Sequence, residues 1–242
     1  MKKIDFETID STSLYLKENY LKLDNFTFVS SLFQNNGKGR NTRVWESEKG
    51  ENLLFSILIK ESEIIEKFYG LSIMSACCVY NVLKKLNIKN VSIKWPNDIY
   101  INNKKVCGIL LEGISNKNGL IAIIIGVGLN VNQKNFNIEN ATSIYQSTKK
   151  EIEINAIKEL VYNEFIYMIN KYKDNDNSYL KIARENNFLK DKEVYAYYLG
   201  NKVFVKVLDI NDDNTLKVLY KDQIININSG EITFHKDEKD PY

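Results

Sequence analysis

Residues 106–131 have the sequence VCGILLEGISNKNGLIAIIIGVGLNV. Two apolar stretches, residues 106–113 and 120–127, flank a short segment of asparagine, lysine and glycine that favours a turn. This order predicts two antiparallel strands joined by a tight connection. The second stretch stays apolar to residue 131, a length that is too short to span a bilayer and is typical of a buried strand. We therefore expect this segment to form two antiparallel strands of a sheet.

Neighbouring segments extend this sheet and cover it with helices. Residues 91–94 and 99–101 are rich in β-forming side chains, and Asn102-Asn103 favours a tight turn because asparagine tolerates positive φ. Apolar residues at helical spacing over residues 62–86 predict one long helix against the sheet. The remaining elements are predicted as strands over residues 26–30 and 53–59, and as helices after Ser11-Thr12 and over residues 155–172 and 178–185.

The pattern changes after residue 193. Short strands separated by turns are predicted over residues 194–199, 203–208, 216–220 and 224–228. This spacing indicates a small all-β barrel. The boundary falls near residues 188–191, so we predict two domains, residues 1–189 and 190–242, the first of the α/β (α+β) class with a mixed sheet.

Composition excludes several classes of function. The chain has 242 residues, with 33 Lys+Arg against 31 Asp+Glu, which gives no support for nucleic acid as a partner. Three cysteines form no disulfide framework, and the only histidine is His235. Neither a zinc site nor a Ser-His-Asp site is expected from this set. The N-terminus lacks the apolar region of a secretory signal, so we expect a cytoplasmic protein without a membrane segment.

The run Gly37-Lys38-Gly39-Arg40-Asn41-Thr42-Arg43-Val44-Trp45 is suited to wrap an anion. Glycines bring backbone N–H groups close to a phosphate, and arginines add bidentate donors. A tryptophan offers a stacking face for a base. The alternative is that the cations are ordinary surface residues and the indole a core or rim aromatic. The two glycines beside the tryptophan favour the ligand-binding role.

Five segments, in this order, resemble the biotin protein ligases. They are Asp10-Ser11-Thr12, Gln34 with the 37–45 loop, Lys94-Trp95-Pro96-Asn97-Asp98, Lys105-Val106-Cys107-Gly108-Ile109-Leu110-Leu111-Glu112, and Gly126-Val127-Gly128-Leu129-Asn130-Val131-Asn132. The last strands, ending in Ser229-Gly230-Glu231-Ile232, resemble that family's SH3-like domain. The resemblance implies a two-step reaction. Biotin and MgATP give biotinyl-5′-AMP and pyrophosphate, and the biotinyl group then passes to a lysine of a biotin carboxyl carrier protein.

The resemblance also assigns nucleotide-side residues. Adenylation needs charge neutralisation, because a carboxylate must attack an anionic phosphate. Lys105 and Arg40 are assigned catalytic roles, with Lys105 at the junction of biotin carboxylate and α-phosphate. The nucleotide-binding set is Arg40, Arg43, Trp45 (stacked on adenine), Lys94, Asn97, Asp98 and Asn130. Asp98 is the candidate to hold Mg²⁺ or to orient the acceptor lysine. From spacing alone, a solvated turn lysine is the favoured interpretation of Lys105, and only the resemblance reverses it. Asn97-Asp98 is, from spacing alone, equally well explained as a turn-forming pair.

The biotin-side residues are mostly neutral and polar. They are Ser11, Thr12, Ser13, Gln34, Lys38, Gly39, Arg40, Lys105 and Gly108. Hydroxyl and amide side chains match a neutral ureido ring without the desolvation cost of a charge. Ser11-Thr12 is alternatively a helix cap, and both roles are compatible. Glu231 of the C-terminal domain is placed on the active-site side.

Departures from the family pattern leave the reaction class unchanged. The family's loop usually has Gly-Arg-Gly-Arg-x-Gly-Arg, whereas Lys38 replaces an arginine here, Thr42 a glycine, and Ser13 a frequent asparagine. Two other functions stay open: a lipoate or octanoate ligase or transferase, and a non-catalytic biotin sensor. The ligase segments begin at Ser11, so no DNA-binding domain is expected before them. The sequence allows a monomer or a homodimer.

Overall fold

The computed structural model describes residues 2–40 and 43–234 of the chain. A mixed sheet of seven strands in the order β1-β2-β3-β7-β6-β5-β4 forms its larger part. The strands are β1 (Lys3–Phe6), β2 (Phe28–Ser31), β3 (Asn52–Ile59), β4 (Val91–Lys94), β5 (Asp98–Ile101), β6 (Lys104–Asn116) and β7 (Gly119–Asn130). β1 runs parallel to β2, and the other pairs are antiparallel. The predicted mixed sheet is confirmed.

The β6–β7 hairpin lies at the centre of this sheet, and the antiparallel pair predicted within residues 106–131 is confirmed. Its strands pair from Asn116↔Gly119 at the turn to Cys107↔Leu129. Gly119 has a φ of +115°, a conformation that favours glycine at the tight connection. Gly108 lies directly opposite Gly128 in this pairing, so part of the sheet surface carries no side chains. That bare surface forms one side of the site described below.

Helices cover both faces of the sheet. They are α1 (Thr12–Asn19), α2 (Ser62–Ile65), α3 (Phe68–Lys85), α4 (Ile144–Thr148), α5 (Ile154–Lys173) and α6 (Ser178–Glu185). On one face Leu16 of α1 packs with Val29, Leu58, Ala122 and Ile124. The larger core lies on the other face, under α3 and α5. No helix in the described ranges is both long and apolar enough to cross a membrane.

The single long helix predicted over residues 62–86 is wrong, because the chain forms α2 and α3 with a break between them. Lys67 leaves the helical conformation at the break, with φ −99° and ψ 26°. Its Nζ donates to the carbonyl oxygens of Tyr172 and Lys173 at the end of α5. The break thus stabilises a helix C-terminus, where a cation is favourable. Periodicity cannot show such a tertiary contact.

A second sheet contains five antiparallel strands in the order β11-β10-β9-β8-β12. They are β8 (Glu193–Tyr198), β9 (Asn201–Ile210), β10 (Leu216–Tyr220), β11 (Gln223–Ile227) and β12 (Ile232–Thr233). This unit agrees with the SH3-like C-terminal fold implied by the resemblance. The segment before it also covers the edge strand β4, because Ile93 exchanges backbone hydrogen bonds of 2.8 Å with residues Asn186 and Phe188.

Candidate functional site

A cavity of about 400 Å³ lies over the β6–β7 hairpin. It is walled by the 37–45 loop, the start of α1, the β4–β5 turn and the end of β12. Every residue predicted to bind biotin or the nucleotide lines it: Ser11, Thr12, Ser13, Gln34, Lys38, Gly39, Arg40, Arg43, Trp45, Lys94, Asn97, Asp98, Lys105, Gly108 and Asn130. Residues from distant parts of the chain therefore converge on one site.

The described parts of the 37–45 loop, residues 37–40 and 43–45, lie side by side and are joined by backbone hydrogen bonds. Trp45 N donates to Gly37 O at 2.9 Å, and Gly39 N donates to Arg43 O at 2.7 Å. A Cβ at Gly37 would lie 2.8 Å from Trp45 O, so this close approach requires glycine. The departure at Thr42 lies outside the described residues.

The indole of Trp45 lies on the bare glycine surface of the sheet. A Cβ at Gly128 would be 2.6 Å from Trp45 Nε1, and one at Gly108 would be 2.9 Å from Trp45 Cζ3. Lys105 Nζ is 5.7 Å from the ring centroid. Within the described residues, Trp45 Nε1 is buried and makes no hydrogen bond. Opposed glycines thus hold the ring inside the cavity, and its stacking on adenine stays a prediction.

Four polar residues form a continuous chain across the cavity. Lys105 Nζ is 2.8 Å from Asp98 Oδ1. Asn97 Nδ2 donates to Asp98 Oδ1 at 3.1 Å, and Arg40 Nη1 donates to Asn97 Oδ1 at 2.9 Å. Asn97 Nδ2 also donates to the backbone of Ile109 at 2.9 Å, which fixes the amide against β6. The interpretation of Lys105 as a solvated turn lysine is wrong, since its side chain lines the cavity and pairs with Asp98.

Lys94 lies deeper than the other cations of the cavity, at 7% exposure. Its Nζ is 3.4 Å from the Tyr100 hydroxyl and 5.3 Å from the centre of that ring. Burial, with the nearby charge of Asp98, raises the pKa of Tyr100 well above its ordinary value. Tyr100 therefore stays a neutral hydroxyl beside the ammonium group at physiological pH.

The polar end of the cavity is built at the start of α1. Ser11 caps the helix by accepting from Leu14 N at 3.4 Å, as predicted. The Thr12 backbone N–H and hydroxyl both donate to Gln34 Oε1, at 2.7 and 3.0 Å. Thr12 Oγ1 also lies 2.7 Å from Ser56 Oγ. These contacts fix neutral donors and acceptors in a buried environment, which suits an uncharged polar ring.

Several lining residues were missed by the sequence analysis. Ser56 left one signal, because it is the polar residue inside the apolar strand β3. Three residues in and directly after β12, Ile232, Thr233 and Phe234, also line the cavity, and no sequence signal indicated them. Glu231, which was placed on the active-site side, directly precedes these lining residues but does not line the cavity itself, and its carboxylate accepts from Asn228 N at 2.8 Å. It closes the turn before β12 instead.

Mg²⁺ fits this site as a companion of a phosphate ligand. No group of three or more His, Cys, Asp or Glu side chains lies together in the described residues, so a fully protein-held ion has no cage there. Mg²⁺ is commonly held by one or two carboxylates together with substrate phosphates. Asp98, half-buried in the cavity wall, supplies one such carboxylate.

A mixed sheet with a cation-lined cavity over opposed glycines, next to a small β unit, defines an α/β protein whose cavity is suited to a small anionic ligand. The model of the biotin/lipoate A/B protein ligase family matches residues 6–130, and the chain belongs to that family. A solved structure of the biotin protein ligase from Aquifex aeolicus in complex with biotin and ATP superposes with a TM-score of 0.87 at 27% identity. The match covers 98% of this chain and 99% of that one.

Two curated relatives are similar to this chain over part of their length. The bifunctional ligase/repressor BirA of Bacillus spizizenii is 28% identical over 212 residues, which is 85% of this chain and 65% of that protein. The biotin–[acetyl-CoA-carboxylase] ligase of Paracoccus denitrificans is 32% identical over 97 residues, or 39% of this chain and 40% of that one. The chain thus spans less than two thirds of the length of these relatives.

Proposed function

We propose that the protein is an ATP-dependent biotin protein ligase, with residues 1–189 as its catalytic domain and residues 190–242 as an SH3-like domain. One observation carries the proposal. The four polar residues that contact one another from Arg40 to Lys105, here named the cationic chain after its two ends, line the cavity. The neutral polar cluster at Thr12 and Gln34 lines the same cavity. A ligand that has an anionic end and a neutral polar end matches this division. Biotin, with its carboxylate and its ureido ring, is such a ligand.

The neutral cluster would bind the ureido ring. This ring has two N–H donors and one carbonyl acceptor, which hydroxyl and amide groups match. Ser11 and Ser13, whose hydroxyls lie 3.1 Å apart, add two more such groups at the same end. The backbone of Lys38 and Gly39 would close over the ring. Gly108, which lies beside the Lys105 ammonium group, would border the valeryl chain.

The cationic chain would carry the adenylation step. A carboxylate oxygen of biotin attacks the α-phosphorus of ATP, a P–O bond forms, and the bond to pyrophosphate breaks. Lys105 and Arg40 neutralise the charge that builds on the phosphate oxygens, and each such preorganised donor is typically worth about 3–4 kcal/mol. Asp98 holds the Lys105 ammonium in place at 2.8 Å.

The remaining nucleotide contacts are proposed from the positions of the side chains in the cavity. Arg43 and Lys94 would bind phosphate oxygens, and Trp45 would stack on adenine. Asn130 donates to Thr142 O at 3.0 Å, while its Oδ1 is buried without a hydrogen bond in the described structure. That oxygen is an acceptor suited to an amino group of the base. Bound Mg²⁺ would neutralise phosphate charge, with Asp98 as the residue that holds it.

The acceptor is proposed to be a biotin carboxyl carrier protein or carboxylase domain, as the name of the Paracoccus relative suggests. A lysine amine of that domain attacks the mixed anhydride, an amide forms, and AMP leaves. We place the reaction in the cytoplasm, without nucleic acid or membrane as partners. The protein would work as a monomer or homodimer.

Biotin-dependent exchange of pyrophosphate into ATP tests the proposal. We expect exchange with biotin and none with lipoate, because the cluster around Gln34 matches a ureido ring and offers nothing to a dithiolane. Thermal unfolding with a non-hydrolysable ATP analogue provides a second measurement, in which biotin should stabilise the protein more than lipoate does. Larger stabilisation by lipoate would favour a lipoate ligase. Binding of biotin without exchange would indicate a sensor.

A further inference from the structure

A turn of the C-terminal sheet contacts the segment that carries Asn97 and Asp98. Trp95, at 2% exposure, donates from Nε1 to the backbone oxygen of Asn214 at 3.1 Å. Asn214 lies in the connection between β9 and β10 and has a φ of +70°, which asparagine tolerates. The contact joins the two sheets at the edge of the cavity.

The turn is held firmly from the opposite side. Tyr179 of α6 donates its hydroxyl to Asn214 Oδ1 at 2.7 Å. Arg184 of the same helix donates to Asp212 Oδ1 and to Ile210 O, both at 2.6 Å. Asn214 thus links α6, through its side chain, to Trp95, through its carbonyl oxygen.

Helix α3 also packs against Asn214, and it approaches the side chain closely at Gly70. A Cβ at Gly70 would lie 3.1 Å from Asn214 Nδ2 and 2.6 Å from the Tyr179 hydroxyl. The side chain of Asn214 is therefore closely packed between α3 and α6. A displacement of Asn214 is resisted by both helices, so its carbonyl oxygen is a fixed point for the indole of Trp95.

The position of Trp95 matters for the cavity, because the residues that follow it enter the cationic chain. Asn97 and Asp98 come two and three residues later and contact Arg40 and Lys105. We infer that Asn214 is a positioning residue of the reaction: the C-terminal sheet, through this turn, holds Trp95 and with it Asn97 and Asp98 in place. The inference rests on the proposed function, since its readout is the use of ATP.

Two substitutions outside the cavity test it. Asn214→Gly keeps a residue that accepts positive φ and keeps the carbonyl oxygen, but removes the amide that Tyr179 holds. Tyr179→Phe removes the other partner of the same bond. Loss of one buried hydrogen bond predicts a rise of about fivefold in the KM for ATP at saturating biotin, in either variant. The Kd for biotin, measured by calorimetry without ATP, should stay within about twofold of wild type.

Asn175→Gly is the matched control, because Asn175 also has positive φ, at +62°, and is exposed in another turn. It should leave both constants unchanged. An unchanged KM for ATP in both test variants would overturn the inference, as would equal weakening for biotin and ATP, which marks general loosening. The ATP Kd measured by calorimetry keeps this test independent of turnover. A wild-type protein without biotin-dependent exchange would instead overturn the proposed function.

Discussion

At the scale of single residues, the site depends on two opposed glycines, because they have no side chains to occupy the cavity. Gly108 and Gly128 pair across β6 and β7, and the Trp45 indole fills the space that two side chains would take. Gly126, two residues earlier on β7, has no such neighbour, since a Cβ there would lie 3.6 Å from the nearest atom, Ser56 Oγ. The same residue type therefore has different importance at two positions of one strand.

Gly128→Ala should displace the indole, because its Cβ would lie 2.6 Å from Trp45 Nε1. Overpacking of this kind is expected to lower the free energy of unfolding by about 1–3 kcal/mol. Urea unfolding, with tryptophan emission as a second readout, checks both effects. Gly126→Ala is the control and should change stability by less than Gly128→Ala. Equal effects of the two substitutions would show that the indole does not lie on Gly128.

Asp98→Asn separates the charge of Asp98 from its hydrogen bonding. The amide oxygen can still accept from Asn97, but the ion pair with Lys105 is lost. Because both side chains are partly exposed, at 33% and 19%, stability should change by no more than about 1 kcal/mol. Pyrophosphate exchange should fall about tenfold or more, since Lys105 loses the group that orients it. Retained exchange would show that Lys105 needs no such partner.

At the scale of elements, pattern and turn chemistry predicted most boundaries. The helix predicted over residues 178–185 and the strand over residues 216–220 match α6 and β10. The left-handed turn at Asn102-Asn103 is confirmed by φ values of +49° and +65°. The elements that were missed are β1, α4 and β12, which have two to five residues each. Such short elements depend on tertiary contacts and carry too little periodicity to be recognised.

Helix α3 offers a test of packing between elements. Alanine normally stabilises a helix relative to glycine by up to about 1 kcal/mol. Gly70→Ala should do the reverse, because its Cβ would meet the Tyr179 hydroxyl at 2.6 Å. Ser75→Ala in the same helix is the control: within the described residues its hydroxyl is buried without a hydrogen bond, so its removal should be neutral or stabilising. Thermal unfolding distinguishes these cases, and stabilisation by Gly70→Ala would contradict the packing.

At the scale of the whole molecule, the sequence predicted the site's members better than their connections. Every residue that the family motifs assigned to biotin or to the nucleotide lines one cavity. The motifs could not show that Asn97 links Arg40 to Asp98, or that a turn of the second sheet reaches Trp95. Those contacts join residues far apart in sequence, and only the packing of the two sheets creates them.

The buried thiols give the whole molecule a dependence on alkaline pH. Burial raises the pKa of Cys77, Cys78 and Cys107 above its ordinary value. Below about pH 8.5 both the folded and the unfolded chain keep the thiol protons, so the free energy of unfolding does not depend on the thiols there. Above that pH the unfolded chain loses protons that the folded chain keeps, and the free energy of unfolding should fall. Urea unfolding across this range checks the sign, and Cys78→Ala should reduce the slope. A free energy that rises with pH would contradict this account.

Lys105 is the residue that we propose to act at the junction of biotin carboxylate and α-phosphate. Biotin-dependent pyrophosphate exchange in Lys105→Ala, compared with Lys104→Ala, tests this proposal most directly, because Lys104 is the exposed neighbour on the same strand and does not line the cavity. Loss of one preorganised donor predicts a fall of about 100-fold or more for Lys105→Ala and near wild-type exchange for Lys104→Ala. Near wild-type exchange by Lys105→Ala would contradict the account.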